Sequence, residues 1–144
     1  MALHQTDPSA TLVAVTEGAR FALGSQPAVR MTEFPFRVGR ENRRRLERLQ
    51  TEVDRRLGGV PPLNDLYLQE PSSDSLHISR EHLAIGHVAG QFFLVDRGSA
   101  CGTTVQGTRV GGDRTEGRAN LHDGDLIVVG SPDSPYVFRF HVDA

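Results

Sequence analysis

Lysine is absent from this chain: all 16 basic residues are arginine. An all-arginine set suits a GC-rich coding genome and a bacterial origin. Cysteine is nearly absent too. Cys101 stands alone, which excludes an internal disulfide and suits a reducing cytoplasm; it reads as a small buried or loop residue. No apolar run approaches the ~20 residues of a membrane span, so no membrane partner is expected. Met1 to Ser9 lacks the basic start and apolar stretch of a signal peptide. Bulk positive charge is missing as well: the formal net charge of -2 argues against nucleic acid as a partner. No Gly-x-Ser-x-Gly elbow, His-Glu-x-x-His pair or phosphate-binding P-loop occurs, which removes the commonest hydrolase, metalloprotease and nucleotide signatures. No metal or cofactor is expected. A chain of 144 residues suits one domain with a sizeable core, needing neither disulfide nor metal.

What is present is a succession of short strand-like runs. Thr11 to Thr16 is rich in β-branched residues after a loose start over residues 1–10. Ala19 to Leu23 alternates with period two and reads as a second strand. Val29 to Thr32 and Phe36 to Val38 follow, divided near Pro35. Asp65 to Leu68, Leu83 to Val88 and Gln91 to Val95 continue the series, the last two around a turn at Ala89-Gly90. Thr103 to Gln106 and Arg109-Val110 flank Gly107-Thr108, a hairpin signal. Gly111 to Gly117 reads as a polar loop. Asp125 to Val129 and Tyr136 to Val142 close the chain. Many short strands with glycine-rich turns predict an all-β sandwich.

One stretch breaks this pattern. Between Asn42 and Leu57, the apolar residues Leu46, Leu49, Val53 and Leu57 recur at helical steps. Asn42 suits an N-cap, and Gly58-Gly59 with Pro61-Pro62 ends the run. The spacing predicts one α-helix over 42–57, inserted into the β-framework within residues 41–63. Eight arginines and four acids fall between Arg37 and Arg56, so that window carries +4 and the rest of the chain -6. A solvated amphipathic helix docked by its leucines accounts for this without any ligand.

The chemistry concentrates in three places. Arg40 follows Gly39 at a strand end, and its planar fork of donors matches a phosphate. Ser79 lies just before a later strand and offers a hydroxyl. Should both loops leave the same edge of a sandwich, they converge on one anion. Gly39-Arg40, then Ser79-Arg80-Glu81-His82, then Asp96 to Gly102-Thr103 together resemble the signature of the forkhead-associated (FHA) domain. The resemblance runs from about Phe34 to Val142 and includes Leu121-x-Asp123-Gly124-Asp125. It implies an SMAD/FHA-type β-sandwich, a single domain over residues 1–144, that reads phosphothreonine in a partner protein. On that resemblance Arg40 and Ser79 hold the phosphate, and Cys101 and Gly102 line the ligand; Arg80, ordinary for the family, offers a third donor. Gly39, His82 and Thr103 support the site. A pocket for the threonine γ-methyl contributes about 0.8 kcal/mol of selectivity over serine by burial.

The chain departs from the family at one loop. The usual Ser/Thr-Asn-Gly-Thr is Ala100-Cys101-Gly102-Thr103. Ala100 has no hydroxyl for the phosphate, and Cys101 does not replace the asparagine that holds the ligand main chain. Each lost hydrogen bond costs about 1–3 kcal/mol, or roughly five- to 150-fold in affinity. Two binding readings follow. One is a phosphothreonine-binding adaptor for a Ser/Thr kinase substrate. The other is a degenerate scaffold that binds a partner without phosphate, through the insertion helix or a sheet face. An enzyme built on Ser79, His82 and Asp96 is the third reading. Serine and histidine three apart in an extended segment point to opposite faces, which disfavours a triad. Nothing in the sequence speaks to oligomeric state.

Overall fold

The computed structural model describes residues 7–41, 63–71 and 76–143. Eleven strands form two sheets. In chain order they are β1 (Ala10–Ala14), β2 (Ala28–Met31), β3 (Phe36–Arg40), β4 (Leu66–Leu68), β5 (Leu83–Val88) and β6 (Gln91–Asp96). Then come β7 (Thr103–Val105), β8 (Thr108–Val110), β9 (Gly117–Leu121), β10 (Leu126–Val129) and β11 (Val137–Val142). One sheet has the order β2-β1-β11-β10-β7-β8, the other β4-β3-β5-β6-β9. Neighbours are antiparallel except β3 and β4, which run parallel with Arg40 opposite Leu68.

Alternation builds the core. Along β11, Phe138 and Phe140 are buried while Val137, Arg139 and His141 are only partly covered. Phe138, Ile127 and Val129 of the first sheet meet Val38, Leu83 and Ile85 of the second around a shared apolar gap. The expected all-β sandwich is the architecture found. The helix expected over 42–57, with nearly all of its insertion, lies outside the described residues.

Four local expectations are corrected. Ala19 to Leu23 is not a strand: Glu17–Ala22 forms a short helix, α1. Thr16 Oγ1 accepts the Ala19 amide at 3.1 Å as an N-cap, and Glu17 sits in the favourable first turn. Ala19, Ala22 and Leu23 are buried at steps of three and one, while Phe21 stays 47% exposed, so the period is helical. Gly117–Leu121, read in part as loop, is a strand: Leu121 is buried, and Arg118 and Asn120 face out. Its polar composition suits an edge strand paired with β6. The hairpin turn falls at Gln106-Gly107, both with positive φ (48° and 81°), and Thr108 already pairs with Val105. Finally, Ser9 and Ala10 are buried, and β1 begins inside the stretch expected to be loose.

Candidate functional site

The site grows from the C-terminal end of β3. Gly39 lies against the backbone of the loop that precedes β5. A β-carbon there would overlap the Arg80 carbonyl oxygen, so the approach requires glycine. That closeness lets the Arg40 amide donate to the Ser79 carbonyl at 2.9 Å. The Arg40 side chain turns along the same loop, and its Nη1 donates to the Ile78 carbonyl at 2.9 Å. The guanidinium is partly buried, and no ion pair joins it to a carboxylate among the described residues. Among the described residues, the Ile78 carbonyl is the one partner of its five donors.

Ser79 is held on both sides. Its amide donates to His82 Nδ1 at 2.9 Å, and its Oγ accepts the Ala100 amide at 3.0 Å. The hydroxyl hydrogen then has no acceptor among the described residues. Because Nδ1 accepts, the His82 proton sits on Nε2, which donates to the Gly102 carbonyl at 2.7 Å. His82 is fully buried, and burial lowers its pKa, opposed by the Gly102 bond and the charges of Asp96 and Glu70. One neutral imidazole therefore ties the Ser79 loop to the Gly102 loop. Ser79 and His82 are not extended away from each other, as the sequence suggested, but joined through a backbone bond. Both imidazole nitrogens are occupied by backbone groups, so His82 is no base for the Ser79 hydroxyl.

The third loop is shaped by Asp96, which is fully buried. Its carboxylate accepts from the Gly98 and Ser99 amides and from Ser99 Oγ and Thr103 Oγ1, at 2.7–3.0 Å. Ser99 Oγ accepts in turn from the Gly102 amide at 2.9 Å. Gly102 has φ +82°, and its buried carbonyl faces His82. Ala100 is exposed at the tip. The half-buried Cys101 donates its thiol to the Leu76 carbonyl at 3.5 Å. Arg80 is exposed, and its side chain makes no bond among the described residues. Its carbonyl, by contrast, is held by Asn64 Nδ2 at 2.7 Å.

Thus the structure gathers Gly39, Arg40, Ser79, His82, Cys101, Gly102 and Thr103 at one edge of the sandwich. Three supporting residues escaped sequence reasoning. Asn64 is buried and also accepts from Arg97 Nη1 at 2.6 Å. Arg97 reaches Glu81 at 2.8 Å. Glu70 accepts the His77 and Ile78 amides at 2.9 and 3.0 Å, which fixes the two peptides just before the Ile78 carbonyl that receives Arg40. It also raises the pKa of the buried Tyr136 phenol, after burial itself, through its charge and a hydrogen bond. Among the described residues no group of His, Cys, Asp and Glu is placed to hold a metal ion.

The sequence model of the FHA domain family matches residues 36–130, more than half of the chain. The chain belongs to the FHA domain family. No curated protein matches it in sequence. Solved structures do. This FHA domain is similar to Mycobacterium tuberculosis EmbR in complex with a low-affinity phosphopeptide, at 22% identity and TM-score 0.58. All of this chain is covered there, but it spans only 27% of that protein's length. It is also similar to the kinase-interacting FHA domain of the Arabidopsis kinase-associated protein phosphatase, at 18% identity and TM-score 0.61, covering 97% of this chain and 98% of that one. A third likeness is to an FHA domain from a study of phosphothreonine-dependent FHA interactions, at 21% identity and TM-score 0.55, covering 94% and 98%. At such identities the likeness is one of fold. Among the described residues no helix is long and apolar enough to cross a membrane.

Proposed function

We propose that this FHA domain is a non-enzymatic module that binds phosphothreonine-containing segments of proteins marked by a Ser/Thr kinase. Arg40 and Ser79 hold the phosphate. The observation that carries the reading is the joint placement of these two side chains. Arg40 is aimed along the Ile78–Ser79 backbone by its Nη1 bond, and the Ser79 hydroxyl keeps its hydrogen while its oxygen is anchored by Ala100. A guanidinium and a hydroxyl donor on one loop edge are a phosphate's natural partners. Arg80, exposed and with no side-chain bond among the described residues, supplies further positive charge. Gly102 and Cys101 border the ligand, while Gly39, His82 and Thr103 hold the loops in register. Two structures of similar fold, one a phosphopeptide complex and one concerned with phosphothreonine-dependent FHA interactions, support the same ligand class.

Binding of a degenerate phosphothreonine peptide library, with unphosphorylated peptides alongside, tests this. Removing a charge-assisted hydrogen bond costs about 1.5–3 kcal/mol. Arg40→Ala therefore weakens phosphopeptide binding by roughly ten- to 150-fold. Ser79→Ala weakens it by about five- to thirtyfold, with little change for unphosphorylated peptides. Equal binding of phosphorylated and unphosphorylated peptides favours the second reading, a scaffold indifferent to phosphate. The feature on that side is the Ala100-Cys101 pair, which lacks the hydroxyl and the amide of the family pattern, the Cys101 thiol donating instead to the Leu76 carbonyl.

A further inference from the structure

The loop between β8 and β9 is fastened to the phosphate-side loop. Asp113 N donates to the Ala100 carbonyl at 3.0 Å, and Arg114 N to the Ser99 carbonyl at 2.8 Å. Both residues take positive φ, 53° and 64°, to make these bonds. Residues 111–116 therefore extend the edge that Ala100 and Cys101 begin. Over this extension lies Arg109 of β8. Its Nε donates to the Gly111 carbonyl at 3.1 Å. A β-carbon on Gly112 would collide with Arg109 Nη2, and one on Gly102 would come within 3.0 Å of Nε. The guanidinium is thus spread across two glycines, one of them next to Cys101. Half of the side chain is exposed (50%), so it is placed but not enclosed. Its charged partner is Asp113, at 3.6 Å and 87% exposed, a pair too open and too long to hold it firmly.

We infer that Arg109 is a specificity-determining residue that takes the carboxylate of an acidic side chain flanking the phosphothreonine, with Asp113 as its intramolecular competitor. The inference rests on the phosphothreonine reading above and names the class of peptide: acidic as well as phosphorylated. It also assigns a replacement for the contact that Ala100 and Cys101 do not make. Arg109 comes from the neighbouring hairpin, and its fork of donors suits a carboxylate. Asp113 sits where that carboxylate would arrive, so it tunes the preference rather than creating it.

The test is an array of phosphothreonine peptides in which each flanking position is set in turn to Ala, Glu or Lys. Wild type, Arg109→Ala, Arg109→Lys and Asp113→Ala are compared by the Glu/Ala affinity ratio at each position, which cancels any general loss of folded protein. Wild type is expected to prefer Glu by about fivefold at one position, in line with a partly exposed ion pair. That ratio falls to near one in Arg109→Ala, is intermediate in Arg109→Lys and rises in Asp113→Ala. A flat wild-type profile, or a Glu preference unchanged in Arg109→Ala, overturns the inference while leaving phosphate reading intact. Loss of any difference between phosphorylated and unphosphorylated peptides overturns both, because the subsite then has no anchored ligand beside it.

Discussion

At the scale of single residues, His82 is the most constrained group of the site. Its Nδ1 must accept the Ser79 amide while Nε2–H reaches Gly102. A second proton would set Nδ1–H against the Ser79 N–H, donor facing donor. Burial already lowers the pKa below the ordinary 6.5. The sign follows: the unfolded chain binds more protons than the folded one below that value. Stability is complete above pH ~6.5 and is lost as pH falls from there toward the depressed folded pKa, by up to about 1.4 kcal/mol per pH unit. Thermal unfolding of the peptide-free protein between pH 7.5 and 5 reads this out. The loss should persist in His122→Gln, which alters a largely exposed imidazole. A flat profile in wild type would contradict a neutral, bridging His82. Arg40, Ser79 and His82 were legible because a short ordered motif carries them. Asn64 and Glu70 were not: they act on backbone groups 16 residues away, and seven and eight residues away, with no local pattern.

At the scale of elements, the loop before β5 is the decisive one, and Glu70 is what shapes it. One carboxylate takes two consecutive amides, and the Ile78 carbonyl beyond them receives Arg40. Glu70→Ala should speed hydrogen exchange at His77 and Ile78 and weaken phosphopeptide binding about five- to thirtyfold through misplaced Arg40. Glu70→Gln, which keeps one acceptor oxygen, should restore part of both; unchanged exchange in Glu70→Ala would remove Glu70 from this role. Strands with strong alternation, such as β6 and β11, could be read directly from the sequence. The α1 segment was not, because Ala19-Arg20-Phe21-Ala22-Leu23 satisfies both periods over five residues. Only the Thr16 cap and the burial of Ala22 decide between them. The β9 strand was hidden by its polar, edge-strand composition.

At the scale of the whole molecule, two sheets form the frame, and Arg40 at the end of β3 and the loops that carry Ser79 and Gly102 lie together at one edge of it. The outer face of the second sheet offers a different surface. There Phe93 packs over Gly86, and Arg118 stacks on its ring at 3.9 Å. Fold class was readable because it rests on many alternating segments at once. Convergence of the loops was implied only by the family resemblance, since spacing alone does not reveal register across strands far apart in sequence.

The most direct measurement is a map of backbone amide shifts on adding one peptide in phosphothreonine and in threonine form. A binding site at the loop edge predicts phosphate-dependent shifts concentrated at Arg40, Ser79, Ala100 and Gly102, and absent in Arg40→Ala. Shifts of equal size with both peptides, centred on Phe93, Val95 and Arg118, would contradict it and move the partner to the sheet face.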